Sequence, residues 1–249
     1  MNTLVIGQYR ANLLLRFEDD SDKLEAGGVT TVNNTKRIKG IVMGMTLGDG
    51  HLMIAKKGIN ACMRITHTEK QREYLEHKKA LLEELTSVAV SEKPPRPPKH
   101  PNIEIMLTSR NHPLYTRTHK ILYGTGTKRL TPVALSWLTP EGIALWYMDD
   151  GSLTKSYRTG STGARFIANR TLWLNTCGFT LEEQQLIIDF FKKVYDIEFK
   201  LQAKTKIKGK QYYSLRTNAG NANKFIELVK PYIVPSMQYK IDMEYTYSR

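Results

Sequence analysis

Two aspartates occupy matching places in the chain, each at the end of an apolar run and directly before a glycine. Asp49 ends the run at 41–50, and Asp150 ends the run at 143–151. A helix already carries partial negative charge at its C-terminal end, so a carboxylate there is unfavourable by a fraction of a kcal/mol, about 0.3–1. If the two helices pack together, both carboxylates repel each other unless a divalent cation binds them. The pattern therefore predicts a shared metal site, and the glycines indicate left-handed helix stops.

The elements that follow each aspartate form an internal repeat. In each half the sequence predicts two strands, a long amphipathic helix, two more strands and a last helix, so both halves read αββαββα. Thr68 and Thr180 are the predicted N-caps of the two long helices. Gly44 and Gly48 share one face of the first motif helix and would allow a second helix to approach closely. We therefore expect an α+β fold of two pseudo-symmetric halves, packed through two central motif helices, each half with a curved antiparallel sheet.

The predicted bounds follow the hydrophobic pattern. In the first half the strands are 50–57, 61–68, 88–91 and 103–110, and the later helices are 69–85 and 113–122. In the second half the strands are 165–167, 170–176, 199–206 and 211–217, and the later helices are 181–195 and 222–232. Residues 155–163, rich in Ser, Thr and Gly, are predicted as an inserted loop. The predicted organisation is a loose leader at 1–36, a first half at 37–136 and a second half at 137–249.

Composition narrows the class of partner. The 249 residues hold 37 Lys and Arg against 24 Asp and Glu, a net charge of +13, which favours a polyanion such as nucleic acid. Hydrophobic content of 41% excludes general disorder. The two cysteines, Cys62 and Cys177, are too far apart for a CxxC zinc site and are predicted to be buried free thiols. No apolar run approaches the roughly 18 residues of a membrane span, so the chain is expected to be intracellular, in an organelle matrix or a bacterial cytoplasm.

The two motifs resemble those of the LAGLIDADG homing endonucleases, in particular the single-chain type with two motifs. Residues 42–50 fit the nine-residue motif at its third position and its last two. Residues 143–151 fit more loosely, because Leu145 stands where a small residue is usual. Their aromatic-Met-Asp-Asp-Gly ending resembles the intron-encoded subgroup, as does the stretch 230–240 after the last helix. The resemblance runs from about residue 36 to residue 242.

The resemblance implies a reaction and a set of site residues. The reaction is a metal-dependent double-strand break, made by a monomer in a long, asymmetric DNA target and leaving short 3′ overhangs. The implied cofactor is Mg²⁺, as two or three ions shared between Asp49 and Asp150, with Mn²⁺ able to substitute. Gly48 and Asp149 precede these aspartates and complete the predicted metal site; Asp149 is turned by about 100° and is expected to lie behind the ligands.

The resemblance also implies one basic residue per half near the scissile phosphates. In the second half this residue is Lys240. In the first half it is Arg129 or Lys128, because a single sequence does not fix the register of this segment. All three are included among the predicted catalytic residues.

Alternating polar side chains along the strands predict a surface that binds double-stranded DNA, with Arg and Lys reading guanine and Gln reading adenine. The predicted DNA-binding residues are Lys56, Lys57, Arg64, Thr66, Arg110, Lys155, Arg158, Arg165, Arg170, Gln202, Lys204, Lys206, Lys208, Lys210, Tyr212 and Arg216. His51 and His67 are expected on the strand surface or in the groove, and Trp137, Trp146 and Trp173 in the core.

Two other functions fit parts of the pattern. A group I intron maturase, which binds RNA as a splicing cofactor, would share the charge and the strands, so intron RNA remains a potential partner. A non-catalytic DNA-binding regulator would be expected to carry a helix-turn-helix segment, which no stretch convincingly supplies. The presence of both motif aspartates favours the nuclease.

Overall fold

The computed structural model describes residues 28–98, 100–206 and 209–242, without the side chains of residues 28–33 and 165. The first half contains α1 (Gly28–Leu47), β1 (His51–Ile54), β2 (Ala61–Thr68), α2 (Arg72–Glu83), β3 (Val88–Lys93), β4 (Glu104–Ser109) and α3 (Pro113–Tyr123). A short helix, α4 (Pro132–Ser136), leads to the second half. That half contains α5 (Pro140–Asp150), β5 (Gly151–Thr159), β6 (Arg165–Leu174), α6 (Leu181–Tyr195), β7 (Lys200–Ala203), β8 (Tyr213–Arg216) and α7 (Ala219–Val229).

The two halves repeat one topology. Each half forms a four-stranded antiparallel sheet, with strand order β1-β2-β4-β3 in the first and β5-β6-β8-β7 in the second. Each order places the first hairpin beside the last strand of its own half. The predicted pair of αββαββα halves is therefore confirmed.

The motif helices α1 and α5 pack against each other at the centre of the molecule. Residues 41–43 and 143–148 are buried on all sides, as expected for helices enclosed by protein. A Cβ atom on Gly44 would overlap the backbone carbonyl of Gly142, and one on Gly142 would overlap that of Gly40. A Cβ on Gly48 would overlap the side chain of Asp149. Glycine is therefore required for this close approach, as the spacing of Gly44 and Gly48 predicts.

Threonine caps open two of the helices in the second half. Thr139 accepts a hydrogen bond from the backbone N–H of Gly142, and Thr180 forms a capping box with Glu183. The predicted cap at Thr68 is wrong. Residues Glu69–Gln71 form a 3₁₀ turn, α2 begins only at Arg72, and the Thr68 side chain makes no capping bond.

The inserted loop predicted at 155–163 is wrong for residues 155–159, and only 160–163 lie in the connection between β5 and β6. β5 continues to Thr159 and pairs with β6 along its whole length, with one bulge at Ser156/Tyr157. The two short strands predicted at 165–167 and 170–176 are one strand, Arg165–Leu174. Threonine and aromatic residues favour extended backbone, and here they outweigh the loop-forming serines and glycines. The insertion therefore lengthens a hairpin.

Other predicted boundaries move. Helix α1 begins at Gly28, so residues 28–36 are helical and do not belong to a loose leader, while 1–27 lie outside the described residues. Strands β1, β7 and β8 each span four residues and are shorter than predicted. Both predicted left-handed stops are wrong, because neither Gly50 nor Gly151 has a positive φ, and Gly151 is extended with φ −88° and ψ 155°. A Cβ there would overlap the Tyr147 ring, so glycine is needed for space.

Cys62 and Cys177 are both free thiols, as predicted, but the prediction that they are buried is wrong, since each is only partly buried. Within the described parts of the chain, no helix combines the length and the apolar character needed to cross a membrane.

Replacing Gly44 by alanine should destabilise the protein. The new methyl group meets backbone atoms of Gly142, so the helices must separate, and overpacking of this kind costs about 1–3 kcal/mol. The matched control is Gly178→Ala, since no atom lies within 4 Å of a Cβ at that position. Urea denaturation should show a lower free energy of unfolding for Gly44→Ala alone. Equal values for the two variants would contradict the close helix packing.

Candidate active site at the ends of the motif helices

The two motif aspartates lie where the paired helices end. Asp49 follows the last turn of α1, and its side chain is half exposed, at 49%. Asp150 is the last residue of α5, and its Oδ2 accepts a hydrogen bond from Nε1 of Trp146 at 3.2 Å. Both carboxylates are therefore positioned by the same helix pair. The negative charge of Asp149 acts on both of them.

Burial and mutual repulsion make the charged forms of these carboxylates costly. Burial, followed by the charges of Asp149 and Asp49, raises the pKa of Asp150 from 3.8 to about 6. Burial and the charge of Asp149 also raise the pKa of Asp49. Perturbed carboxylates at one exposed end of a helix pair are typical of cation-binding and catalytic sites.

Two lysines hold equivalent positions at the two helix ends. Lys128 Nζ donates to the carbonyl of Leu47 at 2.9 Å and lies 3.4 Å from that of Gly48. Lys240 Nζ donates to the carbonyl of Met148 and lies 3.3 Å from that of Asp149. Each pair of carbonyls immediately precedes a motif aspartate. Burial lowers the pKa of both lysines, although the nearby carboxylates oppose this effect.

The choice left open between Lys128 and Arg129 is decided by geometry. The Arg129 guanidinium is exposed and lies 3.8 Å from Oε2 of Glu183, on α6. Glu183 Oε1 also accepts the backbone N–H of Leu130 at 2.7 Å. The second half therefore anchors the segment that carries Lys128, and Lys128 is the residue at the carboxylates.

A buried cluster lies beneath Asp49. Asp149 Oδ1 accepts a hydrogen bond from Lys78 Nζ at 2.6 Å, and neither side chain has exposed surface. Asp149 Oδ2 accepts the backbone N–H of Asp49 at 2.9 Å, so Asp149 does lie behind the motif aspartate, as expected. His67 Nε2 lies 3.0 Å from Lys78 Nζ. Burial and Lys78 lower the pKa of His67 to about 4, so the ring is neutral at pH 7.

Sequence reasoning missed Lys78 and misplaced His67. His67 is only 5% exposed and does not lie on the strand surface. A signal for Lys78 was present, because it falls on the buried stripe of α2, between Leu75 and Leu82. A lysine at such a position needs a buried partner, and Asp149 supplies it.

The available donors suit a hard divalent cation. One oxygen or ring nitrogen from each of Asp49, His67 and Asp149 lies within 4.8 Å of the others. Both oxygens of Asp149, however, are already bonded, to Lys78 and to the backbone of Asp49. The carboxylates of Asp49 and Asp150, with the carbonyl of Gly48, remain as oxygen ligands of the type Mg²⁺ prefers.

The sheet of the first half presents an outward polar row. In β2, buried side chains alternate with Arg64 and Thr66, which are exposed. Arg64 pairs with His51 on one side and Thr108 on the other, so these side chains share a face. Lys56 and Lys57 lie in the turn beyond β1 and not at a strand position.

The sheet of the second half differs at the matching place. Trp173 pairs with Ser152 and Arg216, and it lies on the outer face, so its prediction as a core residue is wrong. Lys204 Nζ lies over the Trp173 ring, 4.3 Å from its centroid, in a cation–π contact. Arg216 Nε donates to Oε1 of Gln202 at 2.9 Å. Trp137 and Trp146 are buried, as predicted.

The remaining predicted DNA-binding residues vary in exposure. Lys204, Lys206, Lys210 and Tyr212 lie outside the strands because β7 and β8 are short. The exposed residues are Lys56, Lys57, Arg64, Thr66, Arg110, Arg158, Lys206 and Lys210, and the half-buried ones are Lys155, Arg170, Gln202, Lys204, Tyr212 and Arg216. The Arg165 side chain and Lys208 lie outside the described part of the structure.

Comparison with known protein families gives a match over most of the chain. The profile described as the LAGLIDADG DNA endonuclease family matches residues 39–225. The chain belongs to this family.

Known relatives cover most of the LAGLIDADG chain. It is 29% identical to the protein RecA of Mycolicibacterium flavescens over 211 residues, which is 81% of this chain and 45% of RecA. The chain thus spans about half the length of such relatives. It is 25% identical to the DNA endonuclease I-ChuI of Chlamydomonas applanata over 227 residues, covering 83% of this chain and 95% of that one. The fold is similar to that of the homing endonuclease I-WcaI bound to its DNA recognition sequence, at a TM-score of 0.67 and 20% identity, over 91% and 98% of the two chains.

Replacing Asp150 by asparagine should stabilise the protein at neutral pH. The raised pKa means that folding disfavours the charged carboxylate, a cost that is present above pH 6 and disappears as the pH falls towards 3.8. Asparagine removes the charge and can still accept from Trp146, so we expect a gain on the order of 1–2 kcal/mol at pH 7.5. Thermal unfolding at pH 7.5 and pH 4 should show the gain only at pH 7.5. Asp189→Asn, on α6, is the control, and a gain at both pH values would contradict the account.

Proposed function

We propose that the protein is a site-specific DNA endonuclease that hydrolyses one phosphodiester in each strand of a double-stranded target. The observation that carries this proposal is the repeated arrangement of one carboxylate and one lysine at each helix end. Lys128 contacts the carbonyls that precede Asp49, and Lys240 contacts those that precede Asp150, so the site contains two corresponding sets of groups. Two sets suit two scissile phosphates, one on each strand.

Divalent cations complete the proposed site. Asp49 and Asp150 would hold Mg²⁺, as two or three ions with Mn²⁺ as a substitute, and the carbonyl of Gly48 offers a further oxygen. Such ions activate water and stabilise the leaving oxygen of a phosphodiester. Lys128 and Lys240, beside the carboxylates, would neutralise charge that develops on the phosphate oxygens. The site thus combines fixed anions that bind metal with fixed cations that face phosphate.

The sheets supply the proposed target recognition. The Arg64 row of the first half and the Trp173–Arg216 row of the second half present different side chains at matching positions. A monomer with two unlike faces fits a long, asymmetric target, and the resemblance to the family implies short 3′ overhangs. The family match, the similarity to the DNA endonuclease I-ChuI and the binding of I-WcaI to its DNA recognition sequence support DNA as the partner.

A cleavage assay tests the proposal. The resemblance to the intron-encoded subgroup places the gene in an intron, so the substrate is the uninterrupted insertion site, a duplex that joins the two sequences flanking that intron. Wild-type protein with Mg²⁺ should cut both strands, while Asp49→Asn and Asp150→Asn should lose at least about 10³-fold in rate because each removes a metal ligand. Both variants should still bind the duplex in Ca²⁺. Magnesium-dependent cutting of both strands by either variant at the wild-type rate would refute the assigned roles. Splicing of intron RNA without DNA cleavage would favour the maturase.

The adjacent residues Lys128 and Arg129 provide a matched pair for testing the basic residue. Lys128→Met removes the ammonium beside three carboxylates and should slow cleavage by about 10²-fold or more, the scale expected for a charge that stabilises the transition state. Arg129→Met should remain within about threefold of wild type, since the guanidinium is exposed beside Glu183. Single-turnover rates on the same duplex provide the comparison. The reverse order of the two defects would assign the role to Arg129.

A further inference from the structure

We propose that Lys78 is a positioning residue that holds Asp49 through Asp149, and that it acts on one half only, so the two cleavage centres are unequal. The inference rests on the proposed endonuclease activity. It predicts that loss of Lys78 affects the cutting of one DNA strand far more than that of the other.

The contacts form a continuous linkage across the two halves. Lys78 on α2 donates to Oδ1 of Asp149 on α5, and Oδ2 of the same carboxylate accepts the backbone N–H of Asp49. The Lys78 and Asp149 side chains have no exposed surface, so the Lys78 side chain offers no surface that DNA could contact. Its influence on the reaction must therefore pass through Asp149 to the turn that carries Asp49.

The second half has different residues at the corresponding places. Helices α2 and α6 each bury five residues at the same spacing, and in this register Ile187 takes the place of Lys78. The position of Asp149 before the motif aspartate corresponds to Gly48, which has no side chain. Asp150 instead accepts from Trp146 of its own helix. The Asp150 centre is thus built without an ammonium linkage of this kind.

Strand pairing extends the difference to His67. Arg64 pairs with His51, and Trp173 pairs with Ser152, which aligns β2 with β6 and places Thr176 at the position of His67. Thr176 donates to Oε1 of Gln184 at 2.8 Å. His67 Nδ1, in contrast, lies 3.8 Å from Oδ2 of Asp49. Asp49 is therefore supported by His67 and Asp149 together, both of which contact Lys78.

Lys78 also acts as an internal cation. The ligand atoms of Asp49, His67 and Asp149 lie within 4.8 Å of one another, close enough to hold a metal ion together. The ammonium of Lys78 bonds to Asp149 and lies 3.0 Å from His67, so it neutralises this cluster from within. A divalent cation at the Asp49 centre is thereby left to the exposed side of the carboxylate, where DNA would bind.

Strand-resolved cleavage tests the inequality. The substrate is a supercoiled plasmid carrying the uninterrupted insertion site, with a parallel duplex labelled separately on each strand, in Mg²⁺. Lys78→Met should slow one strand at least tenfold and leave the other within threefold, so nicked plasmid accumulates. Lys79→Met is the matched control, because Lys79 is an adjacent helix residue whose partner is Glu83. It should linearise plasmid as the wild type does.

A second variant guards against misfolding. Lys78→Met alone leaves a buried, unpaired carboxylate, whereas Lys78→Met with Asp149→Gly removes both charges and gives the second motif the residue that the first has at this place. The double variant should unfold at a temperature close to that of wild type and show the same one-strand defect. Equal slowing of both strands, or slowing of neither, in this folded variant would overturn the proposal.

Mn²⁺ binding without DNA separates this inference from the proposed function. Lys78→Met should bind Mn²⁺ at least tenfold more tightly than wild type by electron paramagnetic resonance titration, because the three-residue cluster loses its internal cation. The double variant should not show this gain, because Asp149 is absent. Unchanged affinity in Lys78→Met would overturn the role of Lys78. A wild-type protein that leaves the target intact would instead refute the endonuclease proposal, while the Mn²⁺ comparison would still decide the role of Lys78.

Discussion

The close packing of two glycine-containing helices is the constraint on which the rest of the structure depends. Gly44 and Gly142 allow the backbones of α1 and α5 to touch, and no residue with a Cβ fits either position without moving a backbone carbonyl. Because the helices meet so closely, their C-terminal ends bring Asp49 and Asp150 to one place. The sheets attached to each helix then extend to either side of that place. One packing contact thus sets both the separation of the carboxylates and the orientation of the two candidate DNA-binding faces.

Bringing carboxylates together has an electrostatic cost that the protein offsets unevenly. Lys128 and Lys240 stand at the two helix ends and can face a phosphate, whereas Lys78 is enclosed and contacts Asp149 and His67. Burial still leaves the pKa of Asp150 raised to about 6. The folded chain therefore keeps anionic groups in an unfavourable state, which is the condition in which a divalent cation binds with the greatest gain. The charged Asp150 carboxylate thus lowers the stability of the metal-free protein, although the same carboxylate is the proposed metal ligand.

Much of this arrangement follows from the sequence because it is repeated. The matched apolar runs locate Asp49 and Asp150, and the same repeat predicts the αββαββα order that the structure confirms. The choice between Lys128 and Arg129 does not follow, since adjacent residues in an irregular segment have no periodicity to separate them. Their positions depend on Glu183, which accepts a hydrogen bond from the backbone N–H of Leu130. The two residues are 53 positions apart in the sequence.

Other features depend on tertiary partners or on competing local preferences. The buried position of His67 follows from strand alternation with Met63 and Ile65, whereas its neighbour Lys78 lies on the next helix and pairs with Asp149, 71 residues away along the chain. The β5–β6 hairpin reads as a loop because Ser, Thr and Gly are common in it, although Thr and Tyr also favour strands. Trp173 is assigned to a core by its size, yet strand alternation between the buried Leu172 and Leu174 turns it outward. Strand alternation therefore predicts the position of Trp173 better than the size of its side chain does.

We propose that Asp49 and Asp150 hold divalent cations at the meeting point of the motif helices. Anomalous diffraction from crystals of the protein bound to its uninterrupted target, grown with Mn²⁺, measures this directly. We expect manganese peaks within coordination distance, about 2.0–2.3 Å, of both carboxylates and beside the phosphates to be cut. Manganese peaks elsewhere on the complex, with both aspartates unliganded, would contradict it.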